Sequence, residues 1–299
     1  MVEKNILHMV TPTKHISPFD VNMALDAGYD AVLSYSDVTL DEVTGLVQDA
    51  IFSRPPRTGV RTAMFFGGKN ATFALDMLAK AKKALVPPFG MSFFADPAGS
   101  FTTAAAMVAC VEKILKEKHQ RRLDGLKLAI FGATGVVGFA SAVISALERS
   151  SVTIVGYDGI KRVAESANEI RTRFNVEVRP ADGSDDSKKS GILNENEAVL
   201  CAGRAGVQIL SKAQLAGAKN ILIAADVNAV PPAGVEGLGM QANGDPLTPN
   251  GAVVGLGPLA IGNIKYKTEF GLFQKMIAAP KPVQLDFRDA FVLARELNA

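Results

Sequence analysis

The stretch LAIFGATGVVG, residues 128–138, sets three glycines, Gly132, Gly135 and Gly138, directly between an apolar run and a second apolar pattern of helical period. A short apolar run of this kind reads as a buried strand, and glycine lets the backbone turn sharply out of it and enter a helix with no Cβ in the way. Strand, glycine turn and helix in that order place free N–H groups and the positive end of a helix dipole where a pyrophosphate can sit. The spacing is G-x-x-G-x-x-G rather than G-x-G-x-x-G, a variation frequent among NADP-linked enzymes. The alternative is a tight turn without a ligand. A second strand, VTIVGYD at 152–158, follows the helix in register and decides for a dinucleotide site, with Gly132, Thr134, Gly135, Val136, Val137 and Gly138 as its cradle.

The second strand ends at Asp158, 20 residues past Gly138, where an acid binds the ribose 2′-hydroxyl of NAD. Lys161 and Arg162 follow and are suited to the 2′-phosphate of NADP, for which Arg offers a bidentate fork. Both NAD and NADP are therefore expected as cofactors. Tyr157 and Lys161 form a Tyr-x-x-x-Lys pair, but it stands beside the adenosine ribose and is a coincidence of spacing.

Around this motif the chain alternates strand-like and helical segments. NILHMV, AVLSYS, TAMFFG and GMSFFA are separated by helical patterns in the first third, which predicts βα units on a parallel sheet. FTTAAAMVACVEKILKEK, residues 101–118, reads as one long helix connecting two domains. Beyond it LKLAIFG, VTIVGYD, VEVRP, EAVLCAG and NILIAAD predict a doubly wound sheet, with DGSDDSKKSG as a polar loop. Val230 to Pro258 is rich in Gly and Pro and reads as an extended loop with one strand at AVVG, followed by helices from Ala260 and from Leu285. The expected class is thus α/β with two domains: residues 1–105 plus about 272–299 as an N-terminal substrate domain with a parallel sheet, and 106–271 as a Rossmann-type dinucleotide-binding domain. At 299 residues each has enough chain for its own core.

Net charge is +2 and the cations are dispersed, which points away from nucleic acid and toward a small-molecule substrate. No apolar segment is read as long enough to span a membrane, and the N-terminus carries no leader pattern, so a cytoplasmic location is expected. Cys110 and Cys201 lie in apolar runs and read as buried thiols. The three histidines show no metal-ligand spacing, and no metal is expected. In an open sheet the nicotinamide lies at the C-terminal ends of the later strands, making Ala202, Gly203, Asp226 and Asn228 candidates, with a turn or cap as the alternative for the last two. With no acid–base constellation in view, hydride transfer is the chemistry that fits.

Five separated segments, SPFDVNMALDAGYD, DPAGSFTTAAAMVA, FGATGVVG, ADVNAVPPAGVEG and GPLAIGNIKYK, together span nearly the whole chain. In this order they resemble the NAD(P)-dependent methylene-tetrahydromethanopterin dehydrogenases of methylotrophic bacteria. The resemblance implies hydride transfer from methylene-tetrahydromethanopterin to NAD or NADP, giving the methenyl form, as a step of formaldehyde oxidation. It also implies a fold related to methylene-tetrahydrofolate dehydrogenases, an active site between two domains, and a homotrimer.

Carried onto this chain, the resemblance implies Phe19, with Asp20 beside it, and Thr103, with Thr102 beside it, as pterin-binding residues, and Lys265 as the active-site lysine. A pterin needs an apolar wall, and Thr103 offers a polar contact. Because the product is a cation, a neutral amine or a hydrogen bond from Lys265 suits the chemistry better than a charge. Without the resemblance, Phe19 reads as core, Thr103 as a helix cap and Lys265 as a solvated face. Glu269 is counted with the substrate-binding residues, at a position where a relative carries histidine, and some relatives carry Gly-Arg where this chain has Tyr157 and Asp158, which fits relaxed use of NAD and NADP. Two other functions stay open: a methylene-tetrahydrofolate dehydrogenase, and a non-catalytic NAD(P)-sensing protein.

Overall fold

A computed structural model describes residues 3–299. In chain order its elements are β1 Ile6–Val10, α1 Pro18–Ala27, β2 Ala31–Tyr35, α2 Val43–Phe52, β3 Thr62–Phe66, α3 Ala71–Ala84, β4 Ser92–Ala95, α4 Ser100–His119, β5 Lys127–Phe131, α5 Val136–Leu147, β6 Ser151–Gly156 and α6 Lys161–Phe174. They continue with β7 Arg179–Asp182, α7 Asp186–Glu195, β8 Ala198–Cys201, α8 Lys212–Gly217, β9 Ile223–Asp226, β10 Asn243–Pro246, β11 Val254–Leu256, α9 Pro258–Ala278, β12 Gln284–Leu285 and α10 Phe287–Leu297. Two compact units result: one runs to Thr102 and takes in Tyr266–Leu293, and the other comprises Thr103–Lys265 and Ala294–Ala299.

The first unit carries a five-stranded sheet in the order β12-β4-β3-β1-β2. Its pairings are all parallel. Strand β3, at the centre, is buried at all five positions, whereas edge strand β2 is not buried at any. Phe273 of α9 lies 5.7 Å from Phe65 and 5.4 Å from Phe94, ring centre to ring centre, and all three are fully buried. Each ring contributes on the order of 2 kcal/mol by leaving water, so this cluster ties α9 to strands β3 and β4. Helix α3 starts where the Asn70 carboxamide oxygen accepts from Phe73 N at 2.9 Å, and it turns Ala74, Met77, Leu78 and Ala81 inward.

The second unit holds seven strands in the order β10-β11-β9-β8-β5-β6-β7. All pair in parallel except β10 with β11. Leaving aside antiparallel β10, the chain builds outward from β5 to β7 on one side and from β8 to β11 on the other. That is the doubly wound dinucleotide-binding order, with its switch point between β5 and β8.

Several local expectations are corrected. The polar run 182–191 is not a loop: Asp185 accepts from Lys188 N at 2.8 Å, and Ile192 and Leu193 anchor α7 in the core. Strand β7 lies at 179–182, later than VEVRP suggests. The Gly/Pro-rich stretch contains two short strands, not one. Helix α8 went unread, although Ser211 and Gln214 form a complete capping box at its start. The segment Pro97–His119 is long and apolar enough to cross a membrane by length and composition, contrary to the sequence reading, but 72% of its apolar window is buried inside the protein. The last six residues fall with the second unit. There Arg295 bonds Glu112 at 2.7 and 3.0 Å and Glu148 at 2.5 Å, and Asn298 Nδ2 donates to Ala109 O at 3.2 Å. Both cysteines are buried; burial pushes the Cys110 thiol up to about 12.

Candidate active site

The glycine loop stands at the switch point. Gly132 has a φ of 86°, and a Cβ there would lie 2.3 Å from Ala202 O, inside the neighbouring loop. A Cβ on Gly138 would lie 2.5 Å from Gly132 O, so helix and turn touch through bare backbone. Gly135 differs: its backbone is extended, a Cβ would meet nothing closer than 3.3 Å, and the residue is exposed. It is the N-cap of α5, and no side chain caps that helix. Thr134 is exposed beside it, Val136 and Val137 are partly buried, and Gly138 is buried. An uncapped helix start on an exposed backbone cradle fits a pyrophosphate.

At the end of β6, Gly156 is required because a Cβ would lie 2.0 Å from Gly159 O. The resulting turn presents Tyr157, Asp158, Lys161 and Arg162, all exposed. Arg162 Nη1 donates to Asp158 Oδ2 at 3.2 Å and to Tyr157 Oη at 3.3 Å, and its guanidinium carbon lies 5.9 Å from the centre of the Tyr157 ring. Hydrogen bonds to Asp158 and then Tyr157 raise the Arg162 pKa, so the cation is retained. An acid and two cations thus share one small exposed surface.

After β8, Ala202 and Gly203 are partly buried against the glycine loop. Asp226 and Asn228, expected at the cofactor, bond to the chain's own backbone. The Asp226 carboxylate accepts from the backbone N–H groups of Asn228 (2.9 Å), Gly234 (2.7 Å) and Val235 (3.2 Å). The Asn228 side chain bonds Gly206 N, Val230 N and Pro232 O. Their hydrogen-bonding capacity goes to the chain itself, so the turn role weighed for them is the one seen.

In the first unit Phe19 is 46% exposed, unlike a core residue, and meets Tyr266 edge to face at 6.4 Å. Tyr266 is itself exposed and stacks on Phe270 at 6.5 Å. This aromatic surface includes Tyr266, a residue sequence reasoning passed over; its place next to Lys265 was the available signal. Asp20 is buried in the first turn of α1. Thr102 is also buried, and its hydroxyl donates to Asp96 Oδ2 at 2.6 Å, which makes it part of the helix start rather than an open contact. Thr103 is partly exposed. Along α9, Lys265 is partly exposed and Glu269, four residues on, is fully buried.

The family profile described as methylene-tetrahydromethanopterin dehydrogenase, N-terminal, matches residues 18–98. The chain is 50% identical to the NAD(P)-dependent methylenetetrahydromethanopterin dehydrogenase of Methylorubrum extorquens over 294 residues, covering 98% of this chain and 99% of that protein. The chain belongs to the methylenetetrahydromethanopterin dehydrogenase family. A second protein of that organism, the bifunctional protein MdtA, is 30% identical over 296 residues, 99% of this chain and 100% of its own. Among solved structures, the NAD-dependent malic enzyme of Thermotoga maritima superposes with a TM-score of 0.60 at 12% identity, covering 97% of this chain and 84% of that one. At that identity the likeness concerns the fold alone, and it agrees with the dehydrogenase architecture found here.

Proposed function

We propose that this methylenetetrahydromethanopterin dehydrogenase family member oxidises methylene-tetrahydromethanopterin to methenyl-tetrahydromethanopterin, using NAD or NADP. The reading is carried by the 50% identity that runs through both units of the chain. The open cradle at Gly132, Gly135 and Gly138 independently fits the nucleotide. When bound, the nucleotide supplies the nicotinamide carbon that takes a hydride from the methylene carbon. Hydride leaves with its electron pair and the product keeps the positive charge, so no proton has to move.

The protein's task is therefore to bind and align. The first N–H groups of α5, at Val136, Val137 and Gly138, hold the pyrophosphate, while Asp158 takes the ribose hydroxyls of NAD. Arg162 and Lys161 meet the 2′-phosphate of NADP. Ala202 and Gly203 offer bare backbone beside the nicotinamide. Phe19 and Tyr266 supply an aromatic wall for the pterin, Thr103 gives a polar contact, and Lys265 donates a hydrogen bond to the pterin. A homotrimeric assembly belongs to the same reading.

The test is absorbance at 340 nm with methylene-tetrahydromethanopterin and either nucleotide, repeated with methylene-tetrahydrofolate. Reduction of both nucleotides by the methanopterin substrate supports the proposal. Reduction by the folate alone moves the substrate assignment, and nucleotide binding without reduction by either makes the chain a sensor.

A further inference from the structure

Two loops leave the C-terminal edge of the second sheet beside the switch point, residues 202–210 after β8 and 227–236 after β9. Their far halves are laced by backbone. Ile209 N and Leu210 N donate to Gly234 O at 2.7 and 3.0 Å, and Glu236 N donates to Leu210 O at 3.0 Å. That lacing fixes the loops to each other, and Ala202 N to Phe131 O (2.9 Å) and Val227 N to Cys201 O (3.2 Å) tie their starts to the sheet, but the far half of the second loop takes its polar hold on the sheet from a side chain. Asp226, the last residue of β9, supplies it: Oδ2 accepts from Gly234 N and Val235 N, and Oδ1 from Asn228 N. The near halves are joined by Asn228, whose Oδ1 accepts from Gly206 N at 3.3 Å and Val230 N at 2.9 Å, while Nδ2 donates to Pro232 O at 2.9 Å.

Asp226 is 1% and Asn228 6% exposed, so water does not replace these bonds easily. Burying a carboxylate is unfavourable unless donors surround it. Here burial pushes the Asp226 pKa up, and three backbone N–H groups pull it back. An anion is thus held at a sheet edge where an apolar residue would serve the core as well, and its donors all belong to the loop that must be fixed.

We infer that Asp226 and Asn228 are positioning residues for hydride transfer, fixing the two loops that flank the nicotinamide without contacting the dinucleotide. The inference rests on the function proposed above. In an open sheet the nicotinamide end lies at the strand C-termini beyond the switch point, and these loops form that edge. The pyrophosphate and ribose contacts lie on other segments, 132–138 and 156–162. Loosening the two loops therefore leaves nucleotide capture intact and disturbs the approach of the reacting carbons.

Two variants test this. Asp226→Asn keeps the shape but leaves one acceptor oxygen, so its amide must face either Asn228 N or the Gly234–Val235 pair. Asn228→Ser removes the bonds to Gly206 and Pro232, keeps at most a weaker turn bond to Val230 N, and leaves Asp226 in place, which keeps the test valid if the first variant folds poorly. The measurements are kcat and KM, NADH binding by fluorescence, and the isotope effect with substrate dideuterated at the methylene carbon. Expected is a kcat lowered roughly 10- to 100-fold, an NADH Kd within about 3-fold of the parent, and an isotope effect raised as the chemical step becomes limiting. Unchanged kcat and isotope effect in a folded Asn228→Ser protein overturn the inference, as does an NADH affinity that falls in step with kcat. Parent enzyme that does not turn over the methanopterin substrate overturns the proposed function instead.

Discussion

Two strand–turn–helix junctions in this protein solve the same problem in opposite ways. After β4 the chain enters α4 through Asp96, which is fully buried; Oδ1 accepts from Phe101 N at 2.7 Å and Thr102 N at 3.3 Å, while Oδ2 takes the Thr102 hydroxyl. After β5 the chain enters α5 through Gly132 and Gly135, and no side chain caps the helix. The first junction carries its own carboxylate and closes the helix start. The second withholds one and leaves the N–H groups of an exposed turn for an anion from outside. Which junction is open to a ligand is thus decided by the side chain that is missing, not by the fold of the unit.

The contrast breaks most severely at Gly132. Gly132→Ala forces a Cβ into a left-handed φ and against Ala202 O, so a loss of about 3–5 kcal/mol in stability and no detectable nucleotide binding are expected. Denaturant melts and NADH fluorescence titration check both; a stable Gly132→Ala protein that binds NADH normally removes the close packing from the account.

Gly135→Asp is the sharper test, because it gives the second junction a carboxylate cap of its own. The extended backbone accepts any residue, and the Cβ meets Gly132 O only at 3.3 Å. A carboxylate there would cap α5 and occupy the place proposed for the pyrophosphate. Thermal stability should hold or rise by up to about 1 kcal/mol while NADH affinity falls about 100-fold, a pairing that simple damage does not produce. Affinity and stability falling together counts against the open-cradle argument. In the reverse direction, Asp96→Ala strands the buried N–H groups of Phe101 and Thr102 and leaves the Thr102 hydroxyl only Gly99 O, and should cost about 2–4 kcal/mol in urea unfolding, with NADH affinity unaltered in the folded fraction.

Sequence legibility follows the same division. The glycine cradle was readable because Gly132 and Gly138 are required by exclusion, and an absent Cβ is visible in the chain itself. Asp96 was not, because Asp-Pro-Ala-Gly is an ordinary turn signal, and its capping role depends on Ala98 entering a φ of 54°. Of the neighbouring Thr102 and Thr103, only the structure tells which hydroxyl is spent on Asp96. Asp226 and Asn228 were picked out by their strand-end position, yet their partners are backbone groups up to 22 residues away, which no spacing rule supplies. Helix α7 was hidden by its charge, since only Ile192 and Leu193 enter the core.

A milder form of the contrast exists at the ribose turn, where Asp158 meets a cation of its own chain. Arg162 sits 3.2 Å from the Asp158 carboxylate, with exposed side chains on both sides, so the pair is weak and easily exchanged for ligand groups. On the proposed function, Asp158 would take the ribose hydroxyls of NAD, and with NADP Arg162 would turn to the phosphate and offset the repulsion from Asp158. Asp158→Ala should therefore lower kcat/KM for NAD by roughly 10-fold and leave NADP within about 3-fold, whereas Arg162→Ala should lower NADP use by a similar factor. The ratio of the two rates measured at 340 nm reads the outcome. If both variants weaken both nucleotides equally, the turn binds the adenosine without choosing between them, and discrimination lies elsewhere in the chain.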